Sequence, residues 1–257
     1  MSELKTRMEI AADAARQAGE FTLQYYQGEF EVERKADESP VTIADRGAEK
    51  WLEEFLRSHF PDDTIFGEEF GERAGSSGWR WVLDPIDGTK SFVAGVPLFG
   101  NMVGLEDPDG EAVVGAIALP ALGDLIFAGR GEGCFWNDDR ARVSDVSELS
   151  ESVALFTGPE CFEMTGTEEA WTRVRGAVRF VRGWGDCYGH LLVATGRAEM
   201  MLDPILEDWD SVPLLPIVEE AGGRFTSWSG ERTARGKSGV STNAAIADAV
   251  RSLIAGS

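Results

Sequence analysis

The first half of the chain predicts two amphipathic helices followed by a sheet. Apolar residues recur with helical spacing over residues 4–27 and again over 42–60, and Gly28 and Pro61 end the two patterns. From Trp79 to Phe135 short apolar runs alternate with turns rich in glycine and aspartate. Successive strands joined by short turns predict an antiparallel sheet.

The second half alternates strands with helices. Its apolar runs predict strands at 153–156, 178–181, 198–202 and 224–228, and helices at 168–176, 188–194, 212–221 and 244–254. The polar segment SDVSELSES, residues 144–152, separates the two patterns. We therefore predict an N-terminal α+β subdomain over 1–145, a C-terminal α/β subdomain over 146–257, and helices layered around sheets.

Composition excludes several classes of partner. The 257 residues are 43% hydrophobic, which is enough to build a large core, and 45 acids against 24 bases give a net charge of −21. Such a charge repels nucleic acid and anionic membranes, so neither is expected as a partner. A phosphate substrate would also be repelled, unless bound cations reverse the sign locally.

Cysteine usage and the N-terminus predict a cytoplasmic protein. Cys134, Cys161 and Cys187 are widely spaced and form no CxxC pair, which indicates a reducing compartment. The first twenty residues are charged and helical in period, with no apolar core of a signal peptide, and no stretch approaches 18 apolar residues.

Two aspartates follow an apolar strand in VLDPIDGT, residues 82–89. Pro85 has no N–H and Gly88 permits a tight turn, so Asp84 and Asp87 are expected where the chain turns. A solvated turn is one interpretation. Alternatively, the two carboxylates and the carbonyl of Ile86 offer three oxygens to a hard cation such as Mg²⁺.

Other acids occupy comparable positions. Glu68 and Glu69 follow a glycine after a short apolar segment, whereas Asp45 and Asp210 stand near predicted helix starts. At a helix start an acid can simply stabilise the helix dipole, by roughly 0.3–1 kcal/mol. Carboxylates that converge are costly unless a cation cancels their charge. The spacing permits such convergence without demonstrating it.

Four segments together resemble the inositol monophosphatase family of Mg²⁺-dependent phosphatases. They are KADESPVTIADR at 35–46, GEEFG at 67–71, WVLDPIDGTKSFVAGVP at 81–97 and EDWDSVPLLPIVEEAGG at 207–223. The resemblance runs from about residue 5 to 250. It implies an α/β fold of the α+β type, layered αβαβα, and a homodimer.

The resemblance also implies roles for individual residues. The implied metal ligands, for two or three Mg²⁺ ions, are Glu68, Asp84, Asp87, Asp210 and the carbonyl of Ile86. Asp45, Thr89 and Glu68 would be catalytic, with Asp45 and Thr89 polarising the attacking water, and Glu69 would hold a further metal or water. Gly88 and Thr89 would present backbone N–H groups to the phosphate.

Substrate choice is expected to depend on VRGWGDCYGHLLVATGRAEMMLDP, residues 181–204. This segment resembles the histidinol-phosphate phosphatase branch of the family, and its substrate-binding candidates are Trp184, Gly185, Asp186 and Asp203. Two acids facing the leaving group favour an amine over a polyol, and Trp184 would stack on an imidazole. The alternatives are that Asp186 caps the following helix and that Trp184 belongs to the core.

The sequence thus favours hydrolysis of L-histidinol phosphate to L-histidinol and phosphate by a water that Mg²⁺ activates. The same chemistry on inositol 1-phosphate or another sugar phosphate is the first alternative. A non-catalytic metal- or phosphate-binding regulator is an alternative of another class. Such a regulator would be expected to lose a ligand or the Thr89–Asp45 pair, and this chain keeps both.

Overall fold

The computed structural model describes residues 2–28, 32–34 and 40–256. Residues 35–39, the start of the segment at 35–46 discussed above, lie outside the described residues. The α-helices of the described chain are α1 (Glu3–Thr22), α2 (Ile43–His59), α3 (Thr89–Val93), α4 (Pro159–Thr165), α5 (Glu168–Ala177), α6 (Asp186–Ala194), α7 (Asp208–Glu220) and α8 (Ala247–Ala255). None of these helices is both long enough and apolar enough to cross a membrane.

The strands form a short ribbon and two larger sheets. The ribbon pairs β1 (Val32–Arg34) with β2 (Pro40–Thr42). The larger sheet contains β3 (Thr64–Gly67), β4 (Gly71–Arg73), β5 (Arg80–Asp87), β6 (Gly100–Glu106), β7 (Ala112–Leu119), β8 (Asp124–Gly129), β9 (Gly133–Trp136) and β10 (Asp139–Arg140). The smaller sheet contains β11 (Val153–Phe156), β12 (Phe180–Arg182), β13 (Met200–Asp203), β14 (Arg224–Thr226) and β15 (Gly239–Thr242).

The larger sheet has the strand order β10-β9-β8-β7-β6-β5-β3-β4 and is antiparallel except for the parallel pair β3 and β5. Its central strands β6 and β7 are buried along their whole length. Alternate residues point to opposite faces of a strand, so both faces must be covered. Trp81 and Leu83 pack with α1 and α2 on one face, whereas Val82 packs with α6 and α7 on the other.

Helix α7 lies unusually close to the larger sheet. Gly104 and Gly115 pair across β6 and β7, and a Cβ atom at Gly115 would lie 1.9 Å from the carbonyl oxygen of Pro213. No side chain fits there, so only glycine lets the start of α7 rest on the strands. The position of Asp210, three residues before Pro213, is therefore fixed by packing against this sheet.

The smaller sheet completes five layers. Its strand order is β12-β11-β13-β15-β14, with β11, β12 and β13 parallel. Helix α6 packs on one face through Leu192 and Val193, while α4, α5 and α8 cover the other face through residues such as Trp171 and Ile254. The order of layers is helices α1 and α2, larger sheet, helices α6 and α7, smaller sheet, and helices α4, α5 and α8. This arrangement confirms the predicted αβαβα fold.

Several elements differ from the sequence prediction in extent. Helix α1 ends at Thr22 rather than near residue 27, and α4 and β15 were not predicted. The larger sheet ends at Arg140 and the smaller one begins at Val153. The subdomains 1–145 and 146–257 remain a prediction, because α7 packs on both sheets and joins them.

The small and polar stretch at residues 73–78, RAGSSG, predicts a loop, and this stretch lies away from the two motif aspartates. The N–H groups of Ser76 and Ser77 donate to the Asp62 carbonyl at 2.7 and 3.0 Å, which ties the loop to the start of β3. Thr64, the first residue of β3, pairs with Arg80 at the start of β5. Asp84 and Asp87 belong to the other end of β5, so the loop stands at the opposite end of that strand.

Candidate active site

A β-bulge turns the two motif aspartates toward the same side. Asp84 pairs with Met102 and Asp87 with Gly100, so three residues on β5 correspond to two on β6. In a regular strand, residues three apart point to opposite faces, and one extra residue corrects this. Asn101 donates to the Pro85 carbonyl at 2.5 Å within the bulge.

The chain turns directly after Asp87. Gly88 has φ 78°, in the left-handed region that favours glycine, and α3 begins at Thr89. The Thr89 hydroxyl donates to the Ile86 carbonyl at 3.0 Å, and the Ile86 N–H donates to Oδ1 of Asp84 at the same distance. The turn therefore keeps the Ile86 carbonyl and the Asp84 carboxylate next to one another.

Asp210 reaches these residues from α7. Its Oδ2 accepts the N–H of Glu207 at 2.7 Å, and the two residues form a capping box at the helix start. Asp210 therefore does stabilise the start of α7, as one of its two interpretations predicted. This does not exclude a second role, because one oxygen of Asp210 lies within 4.8 Å of oxygens from both Asp84 and Asp87.

The three carboxylates disfavour one another's charge. Burial raises the pKa of Asp84 well above its usual range, and the charges of Glu68, Asp87 and Asp210 raise it further. Burial first, and then neighbouring carboxylates, raises the pKa of Asp87 and that of Asp210 to about 7. Glu68 is held next to this group, since its N–H donates to the Leu83 carbonyl at 3.2 Å.

The donor set fits a hard divalent cation. Among the described residues no lysine or arginine makes an ion pair with Asp84, Asp87 or Asp210, although their oxygens lie so close together. Carboxylates and carbonyls are the ligands that Mg²⁺ prefers. Glu68, Ile86 and the three aspartates line one cavity of about 350 Å³, so all the predicted ligands are brought together.

A second, larger cavity adjoins the first. Its volume is about 550 Å³, and Asp87, Lys90, Thr157, Glu160, Asp186 and Asp210 line both cavities. Asp203, Cys161, Met164 and His190 line the larger cavity alone. We call Asp84, Asp87 and Asp210 the acid cluster. The predicted substrate-binding acids Asp186 and Asp203 thus share one cavity beside the acid cluster.

Thr157 connects the two substrate-binding acids. Its hydroxyl donates to Oδ2 of Asp203 at 2.7 Å and accepts the N–H of Asp186 at 3.0 Å. Gly185 allows this contact, because a Cβ atom there would lie 2.3 Å from the Thr157 Cα. The fixed Gly185 backbone directs the start of α6 toward the cavity.

Asp186 is not the helix cap that the alternative interpretation proposed. Its carboxylate makes no capping hydrogen bond to α6, and its backbone has φ 53°, which is uncommon for a residue with a side chain. Burial, and then the charge of Asp87, raises the pKa of Asp186 to about 7, while Lys90 lowers it. Burial also raises the pKa of Asp203 well above its usual range.

The second half of the chain also orients the acid cluster. The Cys187 N–H, at the start of α6, donates to Oδ2 of Asp87 at 2.5 Å. Cys187 itself is buried against Gly100, the residue that pairs with Asp87. Helix α6 therefore connects residues of the larger cavity to the acid cluster.

Asp45 lies in the first turn of α2 and forms a capping box with Thr42. Its Oδ2 accepts the N–H and the hydroxyl of Thr42 at 2.7 and 2.6 Å, and burial raises its pKa to about 6. In the part of the chain that the structure describes, no hydrogen bond joins Asp45 to Thr89. Their joint action on a water remains a prediction.

The side chain of Trp184 is not brought to the cavity that Asp186 and Asp203 line. Its side chain is 40% exposed, so it is not a core residue, and it lines neither cavity. Stacking of this indole on a substrate ring remains a prediction.

His190 is fully buried and its Nδ1 contacts the Ser241 hydroxyl at 2.7 Å, while burial lowers its pKa to about 3 and keeps it neutral.

Of the six residues that line both cavities, sequence reasoning missed three, namely Lys90, Thr157 and Glu160. Glu160 lies on α4, which the sequence did not predict, although Gly158 followed by Pro159 is a helix-start signal. Lys90 stands inside the motif and was not given a role. Thr157 has no sequence signal, because its contacts depend on Asp203 and Asp186 from two other elements.

Comparison with known proteins identifies the family. The family model described as inositol monophosphatase family matches residues 3–255. The chain belongs to the inositol monophosphatase family. Its activity class is accordingly that of a phosphoric monoester hydrolase.

Two curated relatives and one solved structure illustrate the similarity to other members. The histidinol-phosphatase of Chlorobaculum parvum is 44% identical over 250 residues, which cover 96% of this chain and 95% of that protein. The histidinol-phosphatase of Mycobacterium tuberculosis is 37% identical and covers 86% of this chain and 87% of its own. The crystal structure of the extragenic suppressor protein suhB from Bartonella henselae superimposes with a TM-score of 0.90 at 30% identity, covering 97% and 98% of the two chains.

Proposed function

We propose that this inositol monophosphatase family member is an Mg²⁺-dependent phosphatase that hydrolyses L-histidinol phosphate to L-histidinol and phosphate. The observation that carries the proposal is the acid-lined cavity of about 550 Å³ beside the acid cluster. Similarity to proteins named histidinol-phosphatase supports the same substrate.

Charge in the larger cavity favours a cationic leaving group. Apart from the cluster residues, Glu160, Asp186 and Asp203 face it, with Lys90 as the base among its lining. A neutral polyol would leave these acids without a compensating charge, which is costly at a partly buried site. The ammonium and imidazole of histidinol supply donors and positive charge, so they fit this lining better than inositol does.

Different residues of the chain have different proposed roles in hydrolysis, namely metal binding, phosphate binding and proton transfer. When bound, Mg²⁺ at Glu68, Asp84, Ile86, Asp87 and Asp210 supplies positive charge that neutralises the phosphate and acidifies water. Gly88 and Thr89 offer backbone N–H groups to phosphate oxygens at the turn before α3. Asp45, with a pKa of about 6, is suited to take a proton from the attacking water at neutral pH.

A comparison of two substrates tests the proposal. Phosphate release is measured with Mg²⁺ from L-histidinol phosphate and from inositol 1-phosphate under the same conditions. We expect a kcat/KM for histidinol phosphate at least about tenfold higher, a difference of about 1.4 kcal/mol. Preference for inositol 1-phosphate would contradict the substrate and retain the phosphatase, whereas no release from any monoester would favour the non-catalytic regulator.

Assembly is proposed on the resemblance alone. We infer a homodimer, which light scattering would detect as twice the 28.0 kDa mass of the chain. A cytoplasmic location likewise remains a prediction.

A further inference from the structure

A buried glutamate on α2 contacts the chain around Glu68 without belonging to the acid cluster. We propose that Glu49 is a positioning residue that holds the Glu68 carboxylate in its metal-binding orientation. The inference rests on the proposed function, because it takes Glu68 to be a ligand of Mg²⁺.

Both oxygens of Glu49 bind the backbone that follows Glu68. Oε2 accepts the N–H of Glu69 at 2.8 Å, and Oε1 accepts the N–H of Phe70 at 2.9 Å. Two charge-assisted hydrogen bonds from one planar group fix the orientation of both peptide units. Glu49 is 0% exposed, so water does not compete for these bonds.

The residue before Glu68 is fitted to the same carboxylate. A Cβ atom at Gly67 would lie 1.9 Å from Oε1 of Glu49, so a residue with a side chain would displace the glutamate. Glu49 therefore contacts the chain on both sides of Glu68, at Gly67 and at residues 69–70. The backbone of Glu68 has little freedom left, which limits where its side chain can point.

A buried carboxylate costs free energy, and closing the turn between β3 and β4 does not by itself explain why Glu49 is one. Burying it carries a desolvation cost, and the charges of Glu69 and Glu53 oppose its ionisation. Residues that orient metal ligands through hydrogen bonds typically change metal affinity or activity by about 10–100-fold when mutated. The geometry at Glu49 corresponds to that role.

The test is Glu49→Gln, which keeps the shape of the side chain and removes one acceptor. Its amide N–H₂ would face one of the two backbone N–H groups, so the turn must shift. We expect the dissociation constant of Mg²⁺ or Mn²⁺, measured by calorimetry without substrate, to rise about tenfold or more. We also expect activity to recover at high Mg²⁺, which a purely structural defect would not allow.

Glu54→Gln is the matched control, since Glu54 lies on the same helix with its side chain exposed. Its metal affinity should equal that of the wild type. If Glu49→Gln does not fold, Gly67→Ala perturbs the same contact from the other side and should weaken metal binding similarly. Unchanged metal affinity in a folded Glu49→Gln or Gly67→Ala protein overturns the inference.

The outcome is separable from that of the proposed function. Wild-type protein that binds Mg²⁺ and releases phosphate, together with a variant of equal metal affinity, rejects only the role of Glu49. Wild-type protein that binds neither Mg²⁺ nor Mn²⁺ rejects the metal centre itself, and the role of Glu49 with it.

Discussion

The acid cluster and the larger cavity are neighbours built from different parts of the chain. Asp84 and Asp87 come from one bulged strand of the larger sheet, and Asp210 comes from the helix that packs on it. The larger cavity shares Asp87 and Asp210 with the cluster, but most of its remaining walls come from the ends of β11 and β13 and from α4 and α6. We infer that the first region determines whether phosphate esters are hydrolysed and the second determines which ones.

The two regions also differ in how their acids are compensated. Within the cluster, burial and the charges of neighbouring carboxylates raise the pKa of Asp84, Asp87 and Asp210, so a multiply charged cation is the natural counterion. In the cavity, Asp203 is hydrogen-bonded to Thr157, and Lys90 partly compensates Asp186. Under the proposed function, the ammonium of the substrate would add positive charge beside these acids. Mutations in the two regions should therefore have separable effects.

The largest expected effect is loss of turnover in Asp84→Asn. Removing one proposed metal ligand would remove transition-state stabilisation of several kcal/mol, so kcat should fall by about 10³-fold or more for every substrate. The fold should tolerate the change, because it relieves repulsion within the cluster. Phosphate release on both esters and a thermal melt without metal measure the two effects.

Asp109→Asn is the control for this substitution. Asp109 is exposed in the turn between β6 and β7, far along the chain from the cluster, and its loss should leave kcat unchanged. Near-normal turnover in Asp84→Asn would show that the cluster has no part in hydrolysis. The functional distinction between the two regions would then fail.

A smaller and selective effect is expected from Asp186→Asn. Asparagine tolerates the left-handed backbone at this position, where φ is 53°, so the substitution tests charge without adding strain. Loss of a charged hydrogen bond of about 1.5–3 kcal/mol should raise KM for histidinol phosphate by about 10-fold or more. KM for inositol 1-phosphate should change less than about twofold, since a polyol makes no ion pair there.

Glu163→Gln on α4 removes a charge close to the larger cavity but outside its lining, and it should change neither KM. If Asp186→Asn affects both substrates equally, Asp186 shapes the site instead of reading the leaving group.

The parts that the sequence predicted are those encoded by short segments. The DPIDGT turn needs only a proline, a glycine and one bulge, and its neighbours Glu68 and Asp210 stand in segments with their own local signals. Periodicity predicted helices layered around sheets, and the family resemblance implied the αβαβα order, which was confirmed. Helix α4 and strand β15 escaped because each is short, at seven and four residues, and neither has a distinct apolar period.

The larger cavity could be predicted only in part, because it depends on long-range packing. Asp186 and Asp203 were recognised as acids in one segment, but their link through Thr157 joins residues 29 and 46 positions apart. Glu49 was missed since its pattern is that of an ordinary helix residue. Only the path of the chain after Glu68 reveals what its carboxylate binds.

The smallest expected effect is a pH-dependent gain in stability when metal binds the cluster. Without metal, Asp87 and Asp210 have pKa values of about 7, above the usual 3.8 that they regain on unfolding. The folded state then binds more protons than the unfolded state between these values, so the free energy of unfolding falls as pH rises toward 7. Under the proposed function Mg²⁺ would bind the ionised acids and offset this loss, stabilising the fold by about 2.7 kcal/mol at a hundredfold excess over Kd. For a chain of this size that corresponds to roughly 5–10 °C in Tm, largest at pH 8 and small at pH 5, and strongly reduced in Asp84→Asn. The contrary outcome is that Mg²⁺ raises Tm equally at both pH values, or raises it as much in Asp84→Asn as in the wild type. Either result would mean that the cation binds elsewhere. The cluster and the cavity would then differ in position and not in their counterion.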